Sequence, residues 1–163
     1  MIRDAQPTID APAICDIYNR YVCESHCTFE MEPVEPDEMF RRLIGSQRGG
    51  FPFLVSEFDG NVVGYAYGHR FRSREAYGNT VEVSVYVETG VQGRRVGAAL
   101  YTQLLPEICS RGAHAVLAGI ALPNDASVKL HERFGFIKVA HFREVGRKFS
   151  RWIDVGYWEL LNR

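Results

Sequence analysis

Apolar and polar positions along this chain alternate with two periods, and the switches between them outline the elements. Ile2 to Ala5 reads as a short first strand. Ile14, Ile17, Tyr18, Tyr21 and Val22 then recur at helical spacing, with Thr8 or Asp10 placed to cap that helix and Pro12 in its first turn. Pro33 and Pro36 make Thr28–Pro33 a loop. A second helix follows around Asp37 to Gln47, with Met39, Phe40, Leu43 and Ile44 as its buried stripe and Gly49-Gly50 as its stop. Phe53–Phe58 and Val62–Tyr67, joined through Asp59-Gly60-Asn61, predict a β-hairpin. In the next strand Val81, Val83, Val85 and Val87 alternate with Glu82, Ser84 and Tyr86, so one face is apolar and the other presents a carboxylate, a hydroxyl and a phenol. Val96, Ala99, Leu100, Leu104 and Ile108 form a helical stripe in which Pro106 predicts a kink or a lost backbone bond. Ala115 to Ile120 is a buried strand, and Pro123-Asn124 opens a helix carrying Val128, Leu130, His131 and Phe134. A sixth strand then runs through Phe142, and Trp152 to Leu161 forms the last.

The short basic loop between the central strand and the helix at Val96 changes the picture from fold to chemistry. Gln92, Gly93, Arg94, Arg95 and Gly97 lead into the helix, where backbone N–H groups and the positive end of the helix dipole converge on an anion. The alternative is a βα turn with a solvated basic loop. Arg95, as a first-turn residue, is expected to have ordinary helical dihedrals with its side chain outward.

Composition narrows the classes. The 163 residues are the length of one domain, 1–163, and 46% hydrophobic with 24% charged residues is ordinary for a soluble globular protein. A formal net charge of -1 gives no global reason to expect nucleic acid or an anionic membrane as partner. The N-terminus has no apolar signal core and no run reaches the roughly 20 apolar residues of a membrane span, so the expected location is cytoplasmic. Cys15, Cys23, Cys27 and Cys109 lack paired C-x-x-C spacing and read as reduced thiols, with no metal expected.

Gln92 followed by Gly97 and a small residue, after a strand ending Val85-Tyr86-Val87, resembles the acyl-CoA-binding motif of the GCN5-related N-acetyltransferases (GNAT). That family usually writes Q/R-x-x-G-x-G/A, and Arg95 stands here where the first glycine belongs. Dispersed residues resemble the phosphinothricin N-acetyltransferase group in particular: Thr28-Phe29, Glu32-Pro33, Ala76-Tyr77, Leu122 to Asp125, His131-Glu132, Gly135-Phe136, Trp152 and Asp154 to Trp158. The resemblance implies a mixed α/β (α+β) acyl-CoA N-acyltransferase fold, a largely antiparallel sheet of about seven strands flanked by four helices. It also implies acetyl-CoA as co-substrate and a homodimer through the C-terminal strands.

Acetyl transfer to an amine needs a neutral nitrogen, a polarised thioester carbonyl and a proton for the thiolate. Glu82, on the polar face of the central strand, is the candidate base, and a structural ion pair is its alternative. His131 occupies the slot where the superfamily commonly has a tyrosine acid; it is a candidate acid or base, or a packing residue. A backbone N–H at Tyr86 or Val87 is expected to polarise the thioester. By resemblance the cofactor contacts are Val85, Tyr86, Val87, Gln92, Gly93, Arg94, Arg95, Val96, Gly97, Ala98, Asn124 and Ser127. Asn124 holds the pantetheine arm in that reading, or caps a helix. The substrate loop supplies Arg72, Arg74 and Tyr77, whose planar guanidiniums suit an amino-acid carboxylate and a second acidic group, with Phe29 and Glu30 as further walls.

The expected activity is transfer from acetyl-CoA to the α-amine of small amino-acid-like substrates such as phosphinothricin or methionine sulfoximine. A ternary complex is expected because no cysteine lies near Glu82 in sequence. The rivals are an acetyltransferase for another small amine or a protein N-terminus, and a non-catalytic acyl-CoA-binding module.

Overall fold

The computed structural model describes residues 1–91 and 93–163. Its elements run β1 (Ile2–Asp4), α1 (Pro7–Glu24), α2 (Pro36–Arg48), β2 (Phe53–Phe58), β3 (Asn61–Arg70) and β4 (Thr80–Val87). They continue through α3 (Val96–Ser110), β5 (Ala115–Leu122), α4 (Asp125–Arg133), β6 (Ile137–Lys148) and β7 (Arg151–Leu161). The strands form one seven-stranded sheet in the order β1-β2-β3-β4-β5-β7-β6. Neighbours are antiparallel except β4 and β5.

Strand alternation sends side chains to a core on each face. Phe53, Val55 and Tyr65 meet Ile14, Ile17, Val22, Met39 and Leu43 of α1 and α2 on one face. Leu54, Ala66, Val81 and Val83 meet Leu100, Leu104 and Ile108 of α3 on the other. The apolar stripes read from sequence supply these buried residues, although Phe40, Ile44 and Val96 are only half-buried and Ala99 of the α3 stripe is exposed. The hairpin turn at Asp59-Gly60 has both residues at positive φ (48° and 77°), the primed turn whose twist matches the strands it joins.

Several boundaries differ from expectation for local reasons. Helix α1 starts at Pro7, before Thr8 and Asp10; its N-cap is Gln6, which makes no side-chain cap. Asp10, buried, instead reaches back to accept from the Gln6 N–H at 2.7 Å and takes a two-pronged bond from Arg3 at 2.7 and 2.9 Å. These bonds to its charged form hold the Asp10 carboxyl below its usual range against the opposing effect of burial. Pro12 is therefore interior, and α3 likewise continues through Pro106, each ring simply lacking an amide to give. Strand β6 continues past Phe142 to Lys148 across a break in register, where the alternation that signals a strand is lost.

Arg95 departs most. It is the N-cap of α3 and adopts left-handed φ 61°, ψ 18°, not helical dihedrals. The glycine that the related motif carries at this place is thereby explained, since an L side chain in that region costs of order 1 kcal/mol.

The feature that positions chemistry is the β4–β5 pair. Its parallel register covers Thr80↔Ala115, Val81↔Val116 and Glu82↔Leu117, and then stops. Beyond it β4 stays paired with β3 and β5 with β7, so a gap opens between Val83–Val87 and Ala118–Leu122.

Candidate active site

Backbone groups along the gap can be assigned from pairing. Glu88 donates its N–H to the Val63 carbonyl at 2.9 Å, and in an antiparallel ladder this parity sends the Tyr86, Ser84 and Glu82 amides to β3. Those of Val85 and Val87 face the gap. Of the two expected N–H donors, Val87 is therefore positioned and Tyr86 is not. Val85, expected only as a contact, joins Val87. The Val87 carbonyl accepts from the Tyr21 hydroxyl at 2.6 Å.

Two cavities meet at the gap. One, of about 730 Å³, is lined by Val85, Tyr86, Val87, Gly93, Arg95, Val96, Gly97, Ala98, Asn124 and Ser127, all expected as cofactor contacts. Arg94 is absent from that lining, and Gln92 lies outside the described residues. Sequence reading missed Arg20, Lys129 and Arg133 here, cations contributed by helix faces with no motif around them. The fit to a phosphate-bearing acyl carrier is good. Among the described residues the first turn of α3 has no side-chain cap, which leaves its first N–H groups available to an anion. At Gly97 a Cβ would sit 3.2 Å from the Leu130 side chain, so the missing side chain lets α4 close on α3 beside the cleft. Asn124 caps α4 through its Oδ1, accepting from the Ser127 N–H at 3.1 Å, while its Nδ2 donates to Cys27 Sγ at 3.3 Å.

The second cavity, about 670 Å³, holds Glu82. Burial pushes this carboxyl above its usual range, opposed by His69, by a 3.5 Å contact from the Tyr157 hydroxyl and by Arg72. Gly119 of β5 lies against it: a Cβ there would come within 3.3 Å of Glu82 Oε1 and 3.1 Å of the Tyr157 ring. A glycine inside an otherwise apolar strand signals such a close approach, and the run Ala115–Leu122 did contain that signal. Phe29, Phe71 and Arg72 also line the cavity, the guanidinium 5.0 Å from the Phe71 ring centre and 5.8 Å from that of Tyr77.

Other expected substrate contacts fall elsewhere. Arg74 is exposed and outside the lining, at the start of the 3-10 turn Glu75–Tyr77, because that turn carries it away from β4. Tyr77 packs edge-on against Phe71 at 5.6 Å and acts behind the wall. Glu30 is taken by Arg42 in a two-pronged pair at 2.6 and 3.2 Å, which holds its carboxyl below the usual range. Cys27, read in sequence only as a reduced thiol and not as a site residue, lines both cavities with Tyr86, Gly119 and Ala121. The loop after α1 brings it there, so distance in sequence from Glu82 gives no reason to exclude a thiol.

His131 is 3% exposed and both its ring nitrogens are engaged. Nδ1 donates to the Ser127 carbonyl at 2.7 Å, and burial keeps the ring neutral by lowering its pKa. Nε2 must then accept, and it does so from the buried Tyr101 hydroxyl at 2.8 Å. The pair ties α4 to α3, with both residues among those lining the cofactor cavity.

This fold, with a half-buried carboxylate at the mouth of a strand gap and an uncapped helix beside it, defines an acyl-CoA-dependent N-acyltransferase. The chain belongs to the GNAT family, whose acetyltransferase (GNAT) domain matches residues 3–156, and it is an N-acetyltransferase that uses acetyl-CoA. It is 40% identical over 153 residues to phosphinothricin N-acetyltransferase of Streptomyces coelicolor, covering 92% of this chain and 90% of that protein. To L-methionine sulfoximine/L-methionine sulfone acetyltransferase of Salmonella typhimurium it is 38% identical over 151 residues, 93% and 88% of the two chains. Among solved structures, ribosomal-protein-alanine N-acetyltransferase from Brucella melitensis superposes with a TM-score of 0.96 at 35% identity, covering 99% of each chain. The phosphinothricin acetyltransferase from Sinorhizobium meliloti in complex with acetyl-CoA gives 0.95 at 31%, covering 99% and 87%.

Proposed function

We propose that the chain acetylates the α-amine of small amino-acid-like substrates, the class to which phosphinothricin and methionine sulfoximine belong, by direct transfer in a ternary complex. The observation that carries this reading is the shared cavity of Glu82 and Arg72, a carboxylate and a guanidinium matched to the ammonium and carboxylate of one amino acid. Acetyl-CoA, when bound, supplies an acetyl group activated as a thioester. Glu82 accepts the proton that makes the amine nucleophilic, directly or through a water. Val85 and Val87 offer N–H groups to the acyl oxygen, and the first turn of α3, with Arg95, Gly97 and Ala98, holds phosphate. His131, with no nitrogen left to present, braces Tyr101 and α4 in this reading. The names of the two curated relatives, at 40% and 38% identity, support the substrate class.

Initial rates of thiol release with acetyl-CoA and methionine sulfoximine, both varied, test the proposal. Intersecting reciprocal plots are expected, because the two cavities meet and can fill together. Parallel plots, abolished in Cys27→Ala, would mean transfer through a thioester on Cys27. No release with any amino acid, but release with peptides bearing a free N-terminus, would favour the reading suggested by the Brucella structure.

A homodimer is part of the proposal. Strand β6 is the sheet edge and carries exposed Ile137 and Val139, with Phe149 at the hairpin tip and Trp152 on β7, an apolar border suited to a second copy. Sedimentation equilibrium is expected to give twice the chain mass, and Trp152→Glu to shift it toward one; a monomer at micromolar concentration would remove the dimer.

A further inference from the structure

The motif from Asp154 to Trp158, part of the sequence resemblance, has a physical job at its first residue. Strands β6 and β7 are in register at Phe142↔Val155 and again at Gly146↔Ile153, so Arg143, Glu144 and Val145 stand opposite Asp154 alone. Three residues against one is a bulge larger than the usual two, and it places Glu144 at φ 53°, unfavourable for a residue with a side chain. Asp154 offsets this with both carboxylate oxygens. Oδ1 accepts from the Glu144 N–H at 2.8 Å, and Oδ2 accepts from His141 Nε2 at 2.7 Å. His141 in turn accepts at Nδ1 from Lys138 Nζ at 2.8 Å.

The bulge shapes the cavity that holds Glu82. Val145 from within it and Phe142 from its edge line that cavity, and Phe142 meets the Tyr157 ring edge-on at 6.0 Å. Immediately after it the Phe29 ring lies on Gly146, where a Cβ would come within 2.3 Å. Among the described lining residues Arg72 is the one cation, against the carboxylates Glu82 and Glu159. With a substrate's carboxylate on Arg72 and its amine at Glu82, the side chain is left with apolar walls, Glu159, and the hydroxyls of Thr28 and Tyr157, which are already engaged with Tyr18 and Glu82. Among the described lining residues a second anionic group would find no cationic partner there.

We propose that Asp154 is a positioning residue that holds the Arg143–Val145 bulge, so that Phe142 and Val145 form a side-chain subsite selecting uncharged amino-acid side chains, such as a sulfone, over anionic ones, such as a phosphinate. The proposal rests on the amino-acid reading above. It is tested by steady-state kinetics with methionine sulfone and phosphinothricin on wild type, Asp154→Ala, Asp154→Asn and Val145→Lys, with acetyl-CoA also varied.

The wild type is expected to favour the sulfone in kcat/KM by roughly tenfold or more. Asp154→Ala should raise KM for the sulfone about tenfold while kcat and the KM for acetyl-CoA change little. Asp154→Asn, which keeps an oxygen for the Glu144 amide, should restore KM to within about twofold. Val145→Lys puts a cation in the subsite and should turn the preference toward phosphinothricin, a readout that survives even if Asp154→Ala fails to fold. Equal use of both substrates by wild type, an unchanged sulfone KM in a folded Asp154→Ala, or an equal rise in KM for acetyl-CoA would each overturn the proposal. Absence of turnover with every amino acid would instead overturn the amino-acid reading beneath it.

Discussion

Glu82→Gln is expected to lower kcat by about 10²-fold or more while acetyl-CoA binds as before, because a positioned general base contributes on that order and the cofactor cavity does not include this side chain. The wild-type rate should rise with pH through a single ionisation lying above the ordinary carboxylate range, in the direction burial shifts Glu82. Such a shift has a cost in stability. A folded-state pKa above the unfolded one contributes stability at pH below the unfolded value, and that contribution is lost as pH rises through the folded value. The base thus becomes active over the range in which its burial becomes unfavourable. Pre-steady-state and pH-rate measurements on both proteins check this. A near-normal kcat in the glutamine variant would remove Glu82 from the mechanism, and a second ionisation assigned to the imidazole would return His131 to the chemistry.

Arg72→Ala should reduce kcat/KM for an amino-acid substrate by one to two powers of ten, the equivalent of about 1.5 to 3 kcal/mol for a charge-assisted hydrogen bond, mostly through KM. Arg74→Ala should do almost nothing, since that side chain is outside the cavity. The contrast between neighbours two residues apart is the informative part. An amino-acid amide, lacking the carboxylate, should lose little in either variant. Equal losses for the acid and its amide would make Arg72 structural, and a large effect of Arg74→Ala would mean that the 3-10 turn Glu75–Tyr77 repacks over bound substrate.

Much of this was legible in the chain because periodicity and site chemistry coincide in β4. The alternation that buries Val81 and Val83 also turns Glu82 to the opposite face. The succession of strands and helices along the chain, and a helix start facing an anion after the basic loop, followed from the same kind of local pattern. What could not be read was whatever depends on contacts distant in sequence. Cys27 enters the site from the loop after α1, and Tyr157 comes from the last strand. His131 read as a candidate acid or base through the motif around it, with packing as the alternative; the Ser127 carbonyl and the Tyr101 hydroxyl, 30 residues earlier, reveal that its nitrogens are engaged. Arg72 and Arg74 were equivalent in sequence because a short irregular turn has no period from which to tell inside from outside. Arg95 misled for a related reason, since side-chain identity reports poorly on a backbone dihedral when glycine is absent.

The gap between β4 and β5 also has a pharmacological meaning. Both cavities border it, and the wall they share is Cys27, Tyr86, Gly119 and Ala121. A bisubstrate inhibitor that joins an amino acid to a pantetheine thiol by a short linker could therefore occupy both sites at once, its selectivity set on the amino-acid side. The linker would have to be slender where it passes Gly119, because the space there exists only for want of a side chain. Exchange of that glycine for alanine would offer the simplest route to resistance, and a costly one, since the same methyl group would press on Glu82 and the Tyr157 ring.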